Sequence, residues 1–314
     1  MHLKSQLGRL IKQLPGGKKL HATLKARLGG VDDYLNLDGR SSDELLSVVR
    51  HEAHRIEKSI YNDNFESKKE VYEKKRDTIE DCFKILRQRD FDLGEDPTAV
   101  WAENLIASFN NLENYVLDHS REAAQYRPER AAAFAAFARS RRSCRVWADE
   151  QPDDQELAEI AGHMIDAARW APTSGNRQPW RFVVLSKPER KELLRGIKEQ
   201  HCISAPLLIW VLMDKRLYGA LGNNECSLFI DAGAAIMQMV LAAHDCGLGV
   251  CWNHFALDMI RSRPSNMVVY DRLTRELGVD DHLESVAIVA IGRPKFIPPE
   301  PQRVKISDLT LAWE

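Results

Sequence analysis

Leu207-Leu208-Ile209-Trp210-Val211-Leu212-Met213 places seven apolar residues in a row, within a run that extends from Ala205. A strand with one wet face would alternate, so an unbroken run this short predicts a strand buried on both faces. Three other stretches read as strands: Arg181–Leu185 (RFVVL), one beginning at Gly249–Trp252 (GVCW), and Ser285–Ile291 (SVAIVAI). Helical spacings lie between them. Pro152-Asp153-Asp154 leads a helix with Leu157, Ile160, Ala161, Met164, Ile165 and Ala168 on one face. Asp231–His244 reads as another, closed at Gly247 by a left-handed cap. Strands alternating with helices imply a sheet covered on both faces.

Upstream of residue 140 the pattern is helical throughout. Ser42 is read as the cap of a helix bearing Leu45, Leu46, Val49, Ile56 and Ile60. Val71, Ile79, Cys82, Phe83 and Leu86 mark a second helix. Asp96-Pro97 opens a third, whose stripe runs Trp101, Leu105, Phe109, Leu112, Val116. Pro128 starts a helix that ends near Arg139. The expected divisions are a basic amphipathic segment at 1–30, a helical extension at 31–127 and a main domain at 128–314.

The 314 residues suit about two domains. With 44 Lys+Arg against 46 Asp+Glu, the net charge of −2 gives no reason to expect nucleic acid. The charge is unevenly spread: residues 1–30 hold seven Lys/Arg and no acid, so the rest carries −9. With Leu3, Leu7, Leu10, Ile11 and Leu14 at helical spacing, this head could lie on an anionic membrane or pack on protein. The longest apolar run is nine residues, Ala205 to Met213, well short of the ~18 of a membrane span. Met1 precedes no apolar h-region. The expectation is a cytoplasmic protein, with peripheral membrane contact through the head as the alternative. Six cysteines at 82, 144, 202, 226, 246 and 251 form no CxxC pair and are read as buried, reduced thiols. No metal site is expected: His51 and His54 in HEAHRIE are three apart, whereas a metalloprotease helix needs four. A solvated or hydrogen-bonded helix face is the expectation there.

Three clusters carry candidate chemistry. The loop Ala171-Pro172-Thr173-Ser174-Gly175-Asn176-Arg177-Gln178-Pro179-Trp180 gathers amides that pair acceptor with donor, which suits a heterocycle edge such as a flavin pyrimidine. In Arg141-Arg142-Ser143-Cys144-Arg145, residues 141, 143 and 145 share one side of an extended segment and suit phosphate. Proline-rich chain after Gly292-Arg293-Pro294 could carry Arg303 back to such a site.

Together RRSCRVW (141–147), AARWAPTSGNRQPW (167–180), DAGAAIMQMVLAAHDCGLGVCW (231–252) and AIGRPKFIPPEPQR (290–303) resemble the nitroreductase-like FMN flavoproteins over residues ~140–314. The resemblance implies an α+β sandwich with a mixed central sheet, in an intertwined homodimer with FMN at the interface. It places Arg141 and Ser143 on the ribityl-phosphate end and Arg145 beside N1 and O2, where a fixed cation stabilises reduced flavin. It places Pro172, Thr173, Ser174, Asn176 and Gln178 on the partner's FMN, Gly249 among the cofactor residues and Arg303 on the phosphate. Asn253-His254 stand where many members carry a glycine whose N–H approaches flavin N5. They are the catalytic candidates, a backbone N–H at this point and His254 as proton donor. Ile236-Met237-Gln238 departs from the frequent I-Q-N.

The activity so implied is FMN-dependent NAD(P)H oxidoreduction, ping-pong two-electron hydride transfer through N5 to a small conjugated acceptor such as a nitroaromatic, quinone or enone. No GxGxxG follows a strand, so the nicotinamide donor would visit transiently. Two alternatives stand: an FMN-dependent dehydrogenase or flavin-consuming enzyme without a nicotinamide donor, and an FMN-bound interaction protein recruited by residues 1–30.

Overall fold

The computed structural model describes residues 36–62, 64–219 and 225–312. The basic segment expected at 1–30 lies outside them. The chain forms two compact units. The first holds residues up to Arg121 together with Thr173–Gln178 and Arg216–Ser227; the second holds Glu122–Pro172, Pro179–Lys215 and Leu228–Glu314.

The first unit is built on α1 (Ser42–Tyr61), α2 (Lys69–Gln88), α3 (Pro97–Ala107) and α4 (Leu112–His119). The cap of α1 is Ser41, one residue before the expected Ser42. Ser41 Oγ accepts from the Glu44 N–H at 3.3 Å, and Glu44 Oε2 accepts from the Ser41 N–H at 3.0 Å. Glu44 lies three residues after Ser41, the spacing a reciprocal capping box needs. Leu45, Val49, Ala53 and Ile56 of α1 pack with Ile79, Cys82, Phe83 and Leu86 of α2 and with Ala99, Ala102 and Leu105 of α3. Each large apolar side chain buried there stabilises the unit by about 1.5–3 kcal/mol. Tyr72, not Val71, joins this core; Val71 is exposed. Asp96 caps α3 as expected, accepting from the Ala99 N–H at 2.9 Å. The stripe from Trp101 to Val116 does not form one helix, however. A 3-10 turn at Phe109–Asn111 separates α3 from α4, and Phe109 is buried against Phe65. Glu52 of α1 is buried and pairs with Lys75 of α2 at 2.6 Å.

In the second unit, β1 (Trp180–Leu185), β2 (Leu207–Asp214), β3 (Gly249–His254) and β4 (Leu283–Gly292) make one sheet in the order β1-β2-β4-β3. All three pairings are antiparallel. The expected mixed sheet is therefore corrected: at this sheet, among the described residues, parallel pairing is limited to the bridge between Ser143 and Val250. All eight residues of β2 are buried, as the unbroken apolar run requires. On one face Trp210 meets Phe255 and Tyr270 edge-on, with ring centroids 5.6 and 6.0 Å away.

Helices α5 (Pro128–Ser140), α6 (Asp154–Arg169), α7 (Glu225–Asp245) and α8 (Pro264–Leu277) complete the long elements. Asp153 and Glu156 form a capping box on α6, which packs on β1 and β2. Helix α7 begins six residues before the expected Asp231. It is long and apolar enough to cross a membrane by composition, a point the search for unbroken runs missed. Ala232, Ala235, Ile236, Met239 and Ala243 are nevertheless fully buried, as in a core helix. Gly247, at φ 75°, follows its end as expected. All six cysteines are free, but Cys226 and Cys246 are exposed rather than buried.

Candidate functional site

Residues 141–147 run extended beside β3. The Cys144 N–H donates to the Val250 carbonyl at 3.0 Å, and the Ala148 N–H to the Arg293 carbonyl at 2.9 Å. Cys144 turns inward and is buried, while Arg141 and Ser143 are half-buried and Arg145 exposed. Burial pushes the Cys144 thiol up, and Arg141 and Arg145 oppose that rise. The field of Arg145 also works against the burial that raises Cys251 and that takes Cys202 to about 12. The side chains of Arg141, Ser143 and Arg145 make no hydrogen bond or ion pair among the described residues. Arg142 differs: it donates to the carbonyls of Arg139, Arg141 and Pro299 and lies 3.5 Å from Glu300. Glu300 also pairs with Arg139 at 2.8 Å. These contacts fix the C-terminal tail against this segment three residues before Arg303, whose own side chain is exposed.

Gly249 is where Cys144 and Pro294 close on the edge strand. A Cβ there would lie 2.8 Å from Pro294 Cβ and 2.9 Å from Cys144 Cβ. Asn253 is buried. Its Nδ2 donates to the Cys251 carbonyl at 2.8 Å, and its Oδ1 lies 2.7 Å from His201 Nε2. The His254 side chain is exposed, and its carbonyl accepts from Lys198 Nζ at 3.0 Å. Glu199, His201 and Cys202 are the described residues grouped closely enough to share an ion. His201 already engages Asn253, and the raised Cys202 thiol disfavours the thiolate a metal needs.

Pro172 closes the preceding stretch of the second unit, and Thr173, Ser174, Asn176 and Gln178 belong to the first. Gly175, Asn176 and Gln178 all adopt positive φ, at 64°, 52° and 52°. Such backbone costs about 1–2 kcal/mol for a residue with a Cβ and persists only where surroundings impose it. The imposing contacts are visible. The Asn176 N–H donates to the Thr173 carbonyl at 3.0 Å, and the Gln178 N–H to Thr173 Oγ1 at 3.3 Å. Arg50 of α1 donates to the Arg177 carbonyl at 3.2 Å and to Thr98 Oγ1 at 3.1 Å. Arg177 is buried, donates to the Ser174 carbonyl and stacks over Tyr218 at 5.8 Å. Gln178 Nε2 donates to Asn176 Oδ1 at 3.2 Å. Asn176 Nδ2, a donor, and Gln178 Oε1, an acceptor, make no hydrogen bond among the described residues.

His51 packs directly on Gly175. Of the solvated or hydrogen-bonded face expected for HEAHRIE, the solvated alternative is corrected at this residue. His51 is largely buried, and its Nδ1 has no hydrogen-bond partner of good geometry among the described residues. Burial first, then Arg177, lowers its pKa to about 4. Arg177 and His51 were absent from the expected site. The Gly at 175 is the one sequence signal that a bulky group packs there.

The Nitroreductase family matches residues 138–207 and 194–293. Over that span the chain belongs to the nitroreductase family. Among its relatives is an Archaeoglobus fulgidus protein provisionally named NADH dehydrogenase/NAD(P)H nitroreductase. It is 29% identical over 162 residues, 50% of this chain and 82% of that protein. Iodotyrosine deiodinase 1 of Rattus norvegicus is 30% identical over 106 residues, 34% of each chain. A provisionally named nitroreductase of Desulfovibrio desulfuricans, solved in complex with FMN, is 27% identical. The match covers 57% of this chain and 96% of that one, with a TM-score of 0.46. The family span contains the 141–145 segment, the 172–178 loop and β1 to β4, and ends before Arg303.

Proposed function

We propose that this nitroreductase-family chain is an FMN-dependent NAD(P)H oxidoreductase acting on a small conjugated acceptor. The supporting observation is the unpartnered donor set Arg141, Ser143 and Arg145 on one extended segment. Two guanidinium forks and a hydroxyl that make no hydrogen bond or ion pair among the described residues match a phosphate-bearing flavin. The name of the Archaeoglobus fulgidus relative supports the nicotinamide donor.

In this reading Arg141 and Ser143 hold the ribityl-phosphate end, and Arg303, carried by the tail, adds a second cation to it. Arg145 presents a fixed positive charge to the pyrimidine end, where reduction builds negative charge. Pro172, Thr173, Ser174, Asn176 and Gln178 serve the FMN of a second copy in a homodimer. The amide donor on Asn176 and the amide acceptor on Gln178 suit a ring edge of alternating polarity. Because the loop is already held in left-handed backbone, little ordering remains to be done on binding. Gly249 lets Cys144 seat against β3, which sets the direction of Arg141, Ser143 and Arg145. The buried Asn253 steadies the end of β3, and the exposed His254 can give a proton to an acceptor. FMN, when bound, supplies the two-electron redox step between donor and acceptor. Residues 1–30 serve as a contact to a membrane surface or another protein.

The test is anaerobic rapid mixing of purified protein with NADH and then NADPH, following the flavin absorbance. Bleaching within ordinary turnover, ~1–10³ s⁻¹, is expected with at least one donor. Failure with both overturns the nicotinamide-driven reading, and a protein that takes up no FMN overturns the flavin reading. Arg141→Ala is expected to weaken FMN binding by about 1.5–3 kcal/mol, the range for a charge-assisted contact. Unchanged affinity would remove Arg141 from the phosphate.

A further inference from the structure

Within the second unit, β3 is an edge strand of the sheet. The Phe255 N–H donates to the Val286 carbonyl at 3.0 Å, and the register pairs Asn253 with Ile288 and His254 with Ala287. Opposed residues in an antiparallel ladder alternate between bonded and unbonded pairs. Asn253 therefore directs its N–H and carbonyl at β4, while His254 directs both at the open edge. Val250 faces that edge too, where its carbonyl accepts from the Cys144 N–H at 3.0 Å. The 141–145 segment and the His254 backbone thus lie along one edge of β3. The end of an edge strand opens readily unless something beyond the sheet holds it.

Residues 198–201 hold it at two points. Lys198 Nζ donates to the His254 carbonyl at 3.0 Å. That side chain is only 5% exposed, with its ammonium 5.8 Å from the centre of the Phe255 ring and 3.4 Å from Glu199. His201 holds the preceding residue. Asn253 Nδ2 donates to the Cys251 carbonyl at 2.8 Å and to the Ile288 carbonyl at 3.4 Å, so Oδ1 is the atom that faces His201 Nε2 at 2.7 Å. Oδ1 can only accept, so His201 carries a proton on Nε2. His201 is itself tied down, since its carbonyl accepts from Trp147 Nε1 at 2.9 Å. Asn253 shares a face of β3 with Cys251, a member of the apolar core. An aliphatic side chain there would need no partner. A buried amide does, and both of its polar atoms have one.

We propose that residues 198–201 form a clamp on the end of β3, in which Lys198 and His201 are positioning residues that hold His254 at the edge shared with the 141–145 segment. Lys198 acts on the His254 carbonyl directly, and His201 acts through the Asn253 amide. The clamp stands on these contacts alone. Its effect on turnover rests on the proposed role of His254 as proton donor to an acceptor.

The test uses the full chain and two readouts. The first, amide hydrogen exchange over residues 250–256, needs no flavin. Lys198→Met and His201→Leu are each expected to speed exchange there about tenfold, the weight of one hydrogen bond. His201→Gln keeps an N–H donor and should restore most of the protection. In an Asn253→Leu background, His201→Leu should add nothing, because the bond it removes is already gone. Unchanged exchange in both Lys198→Met and His201→Leu overturns the clamp, and so does full additivity of His201→Leu with Asn253→Leu. The second readout is reoxidation by p-benzoquinone of the FMN-loaded chain, reduced beforehand with dithionite. Quinone reduction takes up a hydride and a proton, so it reports on the proton donor without calling on a nicotinamide. Both variants should slow it about tenfold at saturating quinone, with the half-saturating quinone concentration and the FMN affinity unchanged and His201→Gln recovering the rate. An unchanged rate in both variants, where His254→Ala slows the reaction, overturns the positioning role. A His254→Ala chain as fast as the parent would instead sink the proton-donor reading, and the exchange measurement would still decide the clamp.

Discussion

Replacing Gly175 with alanine tests the contact that joins the first unit's helices to its loop. The residue sits at φ 64°, and an added Cβ would fall inside the radius of His51 Nδ1. It would also lie 2.7 Å from His51 Cε1 and 3.0 Å from Arg177 Nη1. Left-handed backbone costs alanine about 1 kcal/mol relative to glycine. Overpacking at a site that cannot give adds about 1–3 kcal/mol. His51 has little room to retreat, because its other ring nitrogen is 3.7 Å from the buried Glu52. The expected loss is ~3 kcal/mol in all. Adding His51→Ala removes the steric part and leaves the conformational one. The double variant should therefore recover about 2 kcal/mol relative to the sum of the single changes. Urea unfolding followed by far-ultraviolet circular dichroism measures each corner of the cycle. Strict additivity of the two substitutions would refute the contact.

Lys75→Ala should destabilise the first unit by about 3 kcal/mol, because it strips a buried carboxylate of its 2.6 Å partner; a loss under 1 kcal/mol in the same unfolding assay would place Glu52 in a wetter setting. Acidification should weaken the protein through His51. Its folded pKa of about 4 is below the unfolded 6.5, so the unfolded chain takes up a proton that the folded one refuses. Stability is complete above pH 6.5 and falls by about 1.4 kcal/mol per pH unit down to pH 4. The urea midpoint against pH should flatten in His51→Ala, and an unchanged slope would count against the burial. Gly249→Ala should cost about 1–3 kcal/mol by forcing Cys144 and Pro294 off β3; an unchanged melting temperature would show that the edge has slack.

The second unit was the more legible one, for a physical reason. A strand buried on both faces must be apolar throughout, so LLIWVLM and SVAIVAI announce β2 and β4 without context. Capping at α3 and α6 rests on residues three apart and was also readable. The missed cap of α1 was within reach, because Glu44 pairs by spacing with Ser41 and not with Ser42. What local pattern does not carry is which polar residue ends up covered. His51 reads as part of a solvated or hydrogen-bonded face of α1, and what covers it at Gly175 lies more than a hundred positions away. The break at Phe109 has the same origin: the stripe from Trp101 to Val116 is regular, yet Phe109 packs on Phe65 and turns the chain. The antiparallel sheet corrects an expectation that came from the family resemblance and not from these strands. The segment 141–145 was foreseen as extended from its alternating residues. What the alternation does not carry is that Arg142 is taken by the tail, through the Pro299 carbonyl and Glu300, while the side chains of Arg141 and Arg145 make no hydrogen bond or ion pair among the described residues.

The first unit is assembled from three separate stretches of chain, and this orders events at the ribosome. Helices α1 to α4 emerge together, but the loop that covers His51 emerges only with residues 173–178, and the segment carrying Tyr218 later still. Until then a nascent chain holds a partly built helical unit with His51 not yet covered by Gly175. For the same reason a cut after Arg121, where the first of those stretches ends, would separate α1 from Arg177 and Tyr218. A fragment ending there should be less resistant to proteases than the same helices in the whole chain, and adding back a peptide of the loop alone would restore only part of that protection.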